Sequence, residues 1–170
     1  IYWLSGLHVT SLQNKKESVA KLEVSSGVLV VGHDRGGFSV SEVLTFAKKL
    51  NWPVIAEDPL TFEGAISHAS VFLTSKTIIE DLAPDTVVVI GRTTLSRSIN
   101  AFIKTARKEI VIDPRMATVD TDRMADQKFT QLPTVEVQAV DSEYVEKWNK
   151  YSLRAAKLIS EISAWSEQLV

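Results

Sequence analysis

Apolar and polar residues alternate along this chain in two distinct periods. Short runs rich in β-branched residues predict buried strands, and stretches with apolar residues three or four positions apart predict amphipathic helices. The predicted strands are at residues 27–32, 53–56, 86–90, 109–112, 128–132 and 135–138. The predicted helices between them are at residues 39–51, 65–73, 76–82 and 96–108, and a polar surface loop is predicted at 115–127. This order predicts a three-layer, Rossmann-like α/β fold around a mostly parallel sheet of about six strands.

A long amphipathic helix is predicted at the C-terminus, over residues 142–169. Its apolar residues recur every four or three positions and form one seam: Tyr144, Trp148, Tyr151, Ala155, Leu158, Ile162, Trp165 and Leu169. At 1.5 Å per residue such a helix is about 40 Å long, so we expect its end to leave the body of the domain. Either part of the seam packs on this domain's own sheet, or the helix faces a neighbouring domain or subunit. We therefore divide the chain into a lead-in segment (1–26), a central Rossmann-like domain (27–141) and a C-terminal connecting helix (142–170).

Length and composition narrow the class of protein. The chain has 170 residues, 45% of them hydrophobic, which is enough for one domain with a full core. Its 19 basic and 21 acidic residues give a net charge of -2, so we expect no binding to nucleic acid or acidic membranes. No stretch is apolar over the roughly 18 residues of a membrane span, and the lack of cysteine suits the cytoplasmic location that we expect. Because the chain starts at Ile1 rather than methionine, we expect it to be part of a longer protein.

The segment after the third predicted strand has the features of an anion-binding site. The apolar run 86–90 ends in Gly91, and Arg92, Ser96 and Arg97 follow before the next predicted helix. Ligands of open α/β sheets bind beyond the carboxyl ends of the strands. Ser96 is a suitable N-cap for the helix, whose exposed N–H groups and partial positive charge favour carboxylates and phosphates. The pattern therefore predicts a site for an anionic ligand.

A second candidate is the loop Gly32–Gly37, between the first strand and the first helix. Its spacing is G-x-x-x-G-G rather than the G-x-G-x-x-G of a dinucleotide-binding loop, which favours a plain strand-to-helix turn over a nucleotide site. The histidines at positions 8, 33 and 68 are too far apart in sequence to predict a zinc site. Glu57 and Asp58, after the second strand, are more typical of exposed loop carboxylates than of acid–base catalysts. No catalytic residue, cofactor-binding residue or metal site is therefore predicted in this chain.

Several segments together resemble a known family. They are Val30–Asp34, Leu50–Glu57, Pro84–Asp85, Gly91–Thr93 and Ser96–Ser98, which contain the patterns W-P-x-x-A-[DE] and G-R-x-x-x-x-R in the matching order and spacing. They resemble the central domain of the 2-succinyl-5-enolpyruvyl-6-hydroxy-3-cyclohexene-1-carboxylate synthases, the MenD family of menaquinone biosynthesis. The resemblance covers residues 27 to about 113 well and extends more loosely through the terminal helix.

The resemblance implies an activity for a longer parent protein. Members of the family are transferases that use thiamin diphosphate and Mg²⁺ to decarboxylate 2-oxoglutarate and add the succinyl-semialdehyde unit to isochorismate. Their catalytic glutamate and metal motif belong to flanking pyrimidine-binding and pyrophosphate-binding domains, so this isolated chain is expected to be inactive and to bind no cofactor. The partners that the resemblance implies are those flanking domains, further copies of the full-length protein and dicarboxylate substrates.

The resemblance also implies roles for individual residues. Arg97 stands where relatives carry a basic residue at a helix start that points toward the substrate, and Arg92 and Ser96 are weaker substrate-binding candidates. Guanidinium groups bind carboxylates in a bidentate manner, which suits a dicarboxylate substrate. Arg92 has an alternative partner in Glu57, and Glu63 stands about where relatives carry an arginine, which puts a second basic contact or an effector site in doubt. Two other interpretations stay open: a stand-alone nucleotide-binding module, and a structural oligomerisation domain that uses the seam of the terminal helix.

Overall fold

The computed structural model describes residues 27–58, 60–115, 125–136 and 139–167, and side chains up to residue 162. In this part of the chain the strands are β1 (Gly27–Val31), β2 (Val54–Ala56), β3 (Thr86–Ile90), β4 (Lys108–Ile112) and β5 (Gln127–Phe129). The helices are α1 (Val40–Leu50), α2 (Ala69–Phe72), α3 (Lys76–Asp81), α4 (Arg97–Ile103) and α5 (Ser142–Glu167). The lead-in segment 1–26 and most of the predicted surface loop, residues 116–124, lie outside the described residues.

The strands form one parallel sheet in the order β2-β1-β3-β4-β5. Neighbouring strands pair in parallel throughout, for example Val30 with Val89 and Val89 with Val111. The predicted parallel α/β architecture is therefore confirmed, but the described sheet has five strands and not six. The missing strand was expected at 135–138; the described residues there, Val135 and Glu136, are not in a strand, and an isolated bridge lies just before them at Thr134. Pro133 has no N–H to donate, which weakens strand pairing there, and residues 137–138 lie outside the described part.

Both faces of the sheet are covered, which gives the three expected layers. All five residues of β1 and all five of β3 are buried. Alternate residues point to opposite sides: Val87 and Val89 belong to one hydrophobic cluster, and Val88 and Ile90 belong to the other. Burial on both faces explains why these strands are continuous apolar runs in the sequence instead of alternating apolar and polar residues.

Local signals set the bounds of the first helix. Ser39 is the N-cap of α1: its side chain accepts a hydrogen bond from the backbone N–H of Glu42, whose carboxylate accepts one from the Ser39 N–H in return. This reciprocal capping box satisfies two donors that a helix start otherwise leaves free. Asn51 ends the helix in the left-handed conformation, at φ 54°. The structure therefore confirms the predicted helix at 39–51, with its two outer residues as caps.

Two predicted helices are shorter in the structure. The helix expected at 65–73 is the single turn α2, because His68 takes a left-handed conformation with φ 58° and the chain turns before Ala69. The helix expected at 96–108 is α4, which ends with Ile103. The backbone N–H groups of Thr105 and Ala106 then bond to carbonyls three residues earlier, so the chain tightens into turns.

The long helix α5 packs its first half against the domain's own core. The Trp148 side chain is completely buried and meets Phe72, Phe102 and Tyr144 in edge-to-face contacts with centroid distances of 5.8, 5.4 and 6.3 Å. The hydroxyl of Tyr144 donates a hydrogen bond to the Leu82 carbonyl at 2.8 Å. Trp148 is therefore enclosed and cannot form part of a partner-facing surface.

The same seam becomes exposed further along α5. Leu158 and Ile162 continue the spacing of the buried residues, yet 51% and 67% of their surfaces are accessible. The side chain of Trp165 lies outside the described part. Of the seam residues with described side chains, those in the first half of α5 are thus the more buried. None of the helices in the described ranges is both long and apolar enough to cross a membrane.

Candidate functional site

The carboxyl ends of β1 to β4 lie along one edge of the sheet, which we call the carboxyl edge. The segments that follow these strands are residues 32–37 after β1, 57–58 after β2, 91–96 after β3 and 113–115 after β4. Parallel strands bring these segments together although they are far apart in sequence, and open α/β sheets bind their ligands at such an edge.

The β3 segment, residues 91–96, starts directly beneath the β1 loop. Gly91 has φ 74°, and a Cβ atom on it would collide with the carbonyl oxygen of Asp34. The same carbonyl accepts a hydrogen bond of 2.9 Å from the backbone N–H of Arg92. His33 Nδ1 lies 2.9 Å from the carbonyl oxygen of Thr93 and donates to it in the tautomer that protonates Nδ1. Glycine is therefore required at position 91 by close approach of the chain as well as by its backbone conformation.

Glu57 holds the other end of the β3 segment. Its Oε2 atom accepts a hydrogen bond of 3.2 Å from the backbone N–H of Leu95. The sequence had suggested Arg92 as a partner for Glu57, but no hydrogen bond or ion pair joins their side chains in the described part of the chain. Glu57 therefore orients backbone. The Arg92 charge acts on Asp34, where it adds a small part to the lowering of the pKa that Arg115 mainly causes.

Ser96 caps α4 as predicted. Its backbone is extended, with φ −75° and ψ 122°, and its hydroxyl accepts a hydrogen bond of 3.4 Å from the Ile99 N–H. Just before it, Thr94 is buried, and its carbonyl accepts a hydrogen bond of 2.8 Å from the Asn100 side chain. Because α4 has only seven residues, the charged side chains and not a helix dipole must account for most of any attraction to an anion.

Arg92 and Arg97, the two predicted anion-binding arginines, are exposed on either side of this capped turn. Neither guanidinium group makes a hydrogen bond or ion pair with another described residue. Their backbone positions are nevertheless fixed, Arg92 by Asp34 and Arg97 as the first residue of α4. Two cations with five donors each therefore stand at the carboxyl edge, and no acidic side chain in the described part of the chain is hydrogen-bonded or ion-paired to either of them.

An acid–arginine network lies beside them, and sequence reasoning missed it. The carboxylate of Asp113, just after β4, is fully buried and accepts from Arg115 Nε at 3.1 Å and from Arg115 Nη2 at 2.8 Å. The remaining nitrogen, Arg115 Nη1, donates to Asp34 Oδ2 at 2.6 Å. The available signal was the pattern Asp-Pro-Arg directly after a buried strand, which had been interpreted only as the end of that strand and the start of a surface loop.

The network sets the charge state of its exposed member. The hydrogen bond from Arg115, together with one from the Gly36 N–H, lowers the pKa of Asp34 to about 2. The same carboxylates raise the pKa of Arg115, with Asp113 as the larger cause. Asp34 and Arg115 are therefore both charged at neutral pH, and Arg115 is engaged by two carboxylates and is not available as a third anion-binding group.

A cleft of ≈ 360 Å³ opens next to the β3 segment. It is lined by polar groups and by apolar side chains from β2, α2 and α4, among them Ile55, Glu57, His68, Ser70, Ser96 and Ile99. A cleft that is lined by both apolar side chains and a few polar groups is suited to a small ligand. Ser96, which lines this cleft, directly precedes Arg97, and Glu57, which also lines it, is bonded to the Leu95 N–H.

The glycine-rich loop after β1 does not have the open geometry of a nucleotide site. A Cβ on Gly32 would collide with the carbonyl oxygen of Arg92, and one on Gly36 would lie 2.9 Å from the Asp113 carboxylate. In dinucleotide-binding loops, glycine leaves room for the pyrophosphate. Here the room at Gly32 and Gly36 is taken by the chain itself, which supports the interpretation as a plain turn.

The described residues do not suit the Mg²⁺ ion that the resemblance implies for the parent. Within the described ranges no group of three or more His, Asp or Glu side chains is placed to hold a metal ion. A diphosphate bound through Mg²⁺ needs oxygen ligands gathered around the ion. We therefore assign no step of any reaction to a metal or cofactor held by this chain.

Comparison with known proteins places the chain in a family. The family model described as "Middle domain of thiamine pyrophosphate" matches residues 2–168. Three curated relatives are named 2-succinyl-5-enolpyruvyl-6-hydroxy-3-cyclohexene-1-carboxylate synthase. The protein of Bacillus cytotoxicus is 22% identical over 160 residues, which are 84% of this chain and 27% of that protein. That of Thermobifida fusca is 28% identical over 115 residues, 66% of this chain and 20% of that protein.

The third relative, from Listeria innocua, is 24% identical over 165 residues, which are 86% of this chain and 28% of that protein. The chain thus spans about a quarter of the length of the curated relatives that it matches. The family match extends over nearly the whole chain, and the parallel sheet with helices on both faces agrees with it. The chain belongs to the family of thiamine pyrophosphate enzyme middle domains.

Proposed function

We propose that this chain is the central domain of a thiamin-diphosphate-dependent synthase of menaquinone biosynthesis. The parent would decarboxylate 2-oxoglutarate and add the succinyl-semialdehyde unit to isochorismate. The domain would contribute Arg97, with Arg92 and Ser96 nearby, to the binding of a substrate carboxylate. The flanking domains would hold the cofactor, so the isolated chain would be inactive, and the parent would act as a homo-oligomer.

The family membership and the names of the relatives support the reaction class. All three relatives carry the name of the same synthase, and their matches cover between 66% and 86% of this chain. The residues that carry the resemblance also lie together in the structure, since the ends of β1, β2 and β3 meet at the carboxyl edge.

One observation supports the role of Arg97: an exposed guanidinium group, without an acidic partner among the described residues, stands at the start of a rigidly capped turn beside a cleft. The substrates of the proposed reaction are dicarboxylates. A guanidinium fork binds a carboxylate through two parallel hydrogen bonds, which supplies orientation as well as affinity. The apolar side chains that line the cleft, such as Ile55 and Ile99, are suited to the carbon skeleton of such a ligand.

Steady-state kinetics of Arg97→Ala in the full-length protein test this proposal. A hydrogen bond to a charged group contributes about 1.5–3 kcal/mol, so kcat/KM for a dicarboxylate should fall about 10- to 100-fold. Arg97→Lys keeps the charge but loses the fork and should recover only part of the loss.

Arg107→Ala is the matched control, because Arg107 is an exposed arginine just before β4, at the opposite edge of the sheet. It should leave kcat/KM within about twofold of the wild type, as expected for an exposed surface position. Wild-type kinetics in both Arg97 variants would contradict the proposed role of this residue.

A further inference from the structure

We propose that Asp34 and Arg115 are positioning residues that hold the β3 segment, residues 91–96, and thereby Arg97 in the orientation that meets the substrate. This inference rests on the proposed function of Arg97. Arg115 bridges the β4 loop and the β1 loop, and the β1 loop in turn holds the β3 segment from above.

The bridge has a buried anchor. The Asp113 side chain is 0% accessible, while that of Arg115 is 38% accessible. Besides the bidentate side-chain pair, Asp113 Oδ1 accepts a hydrogen bond of 2.6 Å from the Arg115 backbone N–H. A buried carboxylate with three such donors fixes both the backbone and the guanidinium plane of Arg115.

The bridge crosses over the strand that leads to the candidate site. In the sheet, β3 lies between β1 and β4, so a contact between Asp34 and Arg115 must pass across the end of β3. Arg115 uses its two ends for this purpose, with Nε and Nη2 on Asp113 and Nη1 on Asp34. A lysine has a single nitrogen and cannot span two carboxylates with this fixed geometry.

Asp34 contacts the β3 segment directly through its backbone. The Asp34 carbonyl accepts the Arg92 N–H at 2.9 Å, and Gly91 packs so closely beneath it that the two loops cannot move independently. At the far end of the segment, Glu57 accepts the Leu95 N–H. Because the β3 segment is fixed at both ends, the start of α4, and with it Arg97, is held in one position. Loss of the bridge between Asp34 and Arg115 would release the Gly91 end of the segment.

Asp34→Asn in the full-length protein is the sharpest variant. The asparagine oxygen can still accept from the Gly36 N–H, which bonds Asp34 Oδ1 at 3.0 Å, but its amide group cannot accept from Arg115. The buried pair of Asp113 and Arg115 stays intact, so the fold should be retained. Asp81→Asn is the matched control, since Asp81 also pairs with a cation at similar exposure, 38% against 42%, but on α3.

A double-mutant cycle with Arg97→Ala separates positioning from a general structural role. In the wild-type background, Asp34→Asn should raise KM for the dicarboxylate on the order of 5-fold, with a smaller change in kcat. In the Arg97→Ala background the same change should have almost no effect, because its action passes through Arg97. Arg115→Lys removes the bridge and also weakens the pair with buried Asp113, so it should raise KM at least as much as Asp34→Asn. Asp81→Asn should leave KM unchanged in both backgrounds.

The outcomes separate this inference from the proposed function. If Arg97→Ala has wild-type kinetics, the proposed function fails, and the positioning role fails with it. If Arg97→Ala is impaired but Asp34→Asn is silent, or lowers activity by the same factor in both backgrounds, the proposed function stands and the positioning role is wrong. Thermal unfolding of each variant shows whether a loss of activity reflects a loss of fold.

Discussion

Replacing Trp148 by alanine tests whether α5 belongs to the core of the domain or only connects it to something else. Trp148 is the largest fully buried side chain among the described residues, and its ring contacts three other aromatic rings edge to face. If α5 were only a linker between domains, this substitution would change the free energy of unfolding little. If α5 completes the hydrophobic core of this domain, the substitution must lower the free energy of unfolding substantially.

The expected loss follows from the packing. Replacing a buried Trp by Ala costs about 3–5 kcal/mol, and the loss of aromatic pairs, each about 0.5–1.5 kcal/mol, favours the upper part of that range. For a domain with a typical stability of about 5–15 kcal/mol this is a large fraction. With a urea slope of about 2 kcal/mol/M, the midpoint of unfolding should fall by about 2 M.

Urea unfolding followed by far-UV circular dichroism measures the shift, and Leu153→Ala on the same helix is the control. Leu153 is 73% exposed, so its replacement should change the free energy of unfolding by less than about 0.5 kcal/mol. Equal midpoints for the Trp148 and Leu153 variants would refute the claim that the first half of α5 completes the core.

Three further predictions concern the loops and caps. Gly91→Ala should destabilise the chain by more than about 2 kcal/mol, whereas Gly37→Ala, which also has positive φ but no atom within 4 Å of the added Cβ, should cost only about 1 kcal/mol; urea midpoints of the two variants compare them directly. Ser39→Ala removes the N-cap of α1 and should cost about 1 kcal/mol in the same assay, and an unchanged midpoint would argue against the capping box. The pKa of Asp34 is lowered in the folded state to about 2, below its unfolded value of about 3.9, so its carboxylate stabilises the fold fully above pH 4 and this contribution is lost as the pH falls from about 4 to about 2. The difference in unfolding free energy between the wild type and Asp34→Asn should therefore shrink over that range, and a constant difference would contradict the assignment.

The elements that depend on local signals could be predicted from the sequence. Strands β1 and β3 are continuous apolar runs because they are buried on both faces, and Ser39 and Ser96 cap the helices as their positions suggested. The apolar seam of α5 was also visible. The spacing of four and three residues identifies the apolar face of the helix. It does not show how far along the helix the core of the domain extends, and therefore not which half of the seam is buried.

The rest of the site depends on tertiary contacts that no local pattern records. Asp34 and Arg115 are 81 residues apart in sequence and meet only because β1 and β4 flank β3 in the sheet. The short α2 results from the left-handed conformation of His68, which periodicity cannot reveal. The role of Glu57 as an acceptor for backbone rather than a partner of Arg92 likewise follows from where the end of β2 meets the β3 segment.

The most direct test of the central claim, that Arg97 binds a substrate carboxylate, varies the ligand and the residue together. In the full-length protein, kcat/KM is measured for the dicarboxylate substrate and for the monoamide that neutralises the carboxylate not lost as CO2, with wild-type Arg97 and with Arg97→Ala. If Arg97 binds that carboxylate, the amide should cost the wild type about 10- to 100-fold and the variant almost nothing. If amidation lowered kcat/KM by the same factor in the wild type and in Arg97→Ala, the claim would be contradicted. The carboxylate would then be bound by another part of the enzyme.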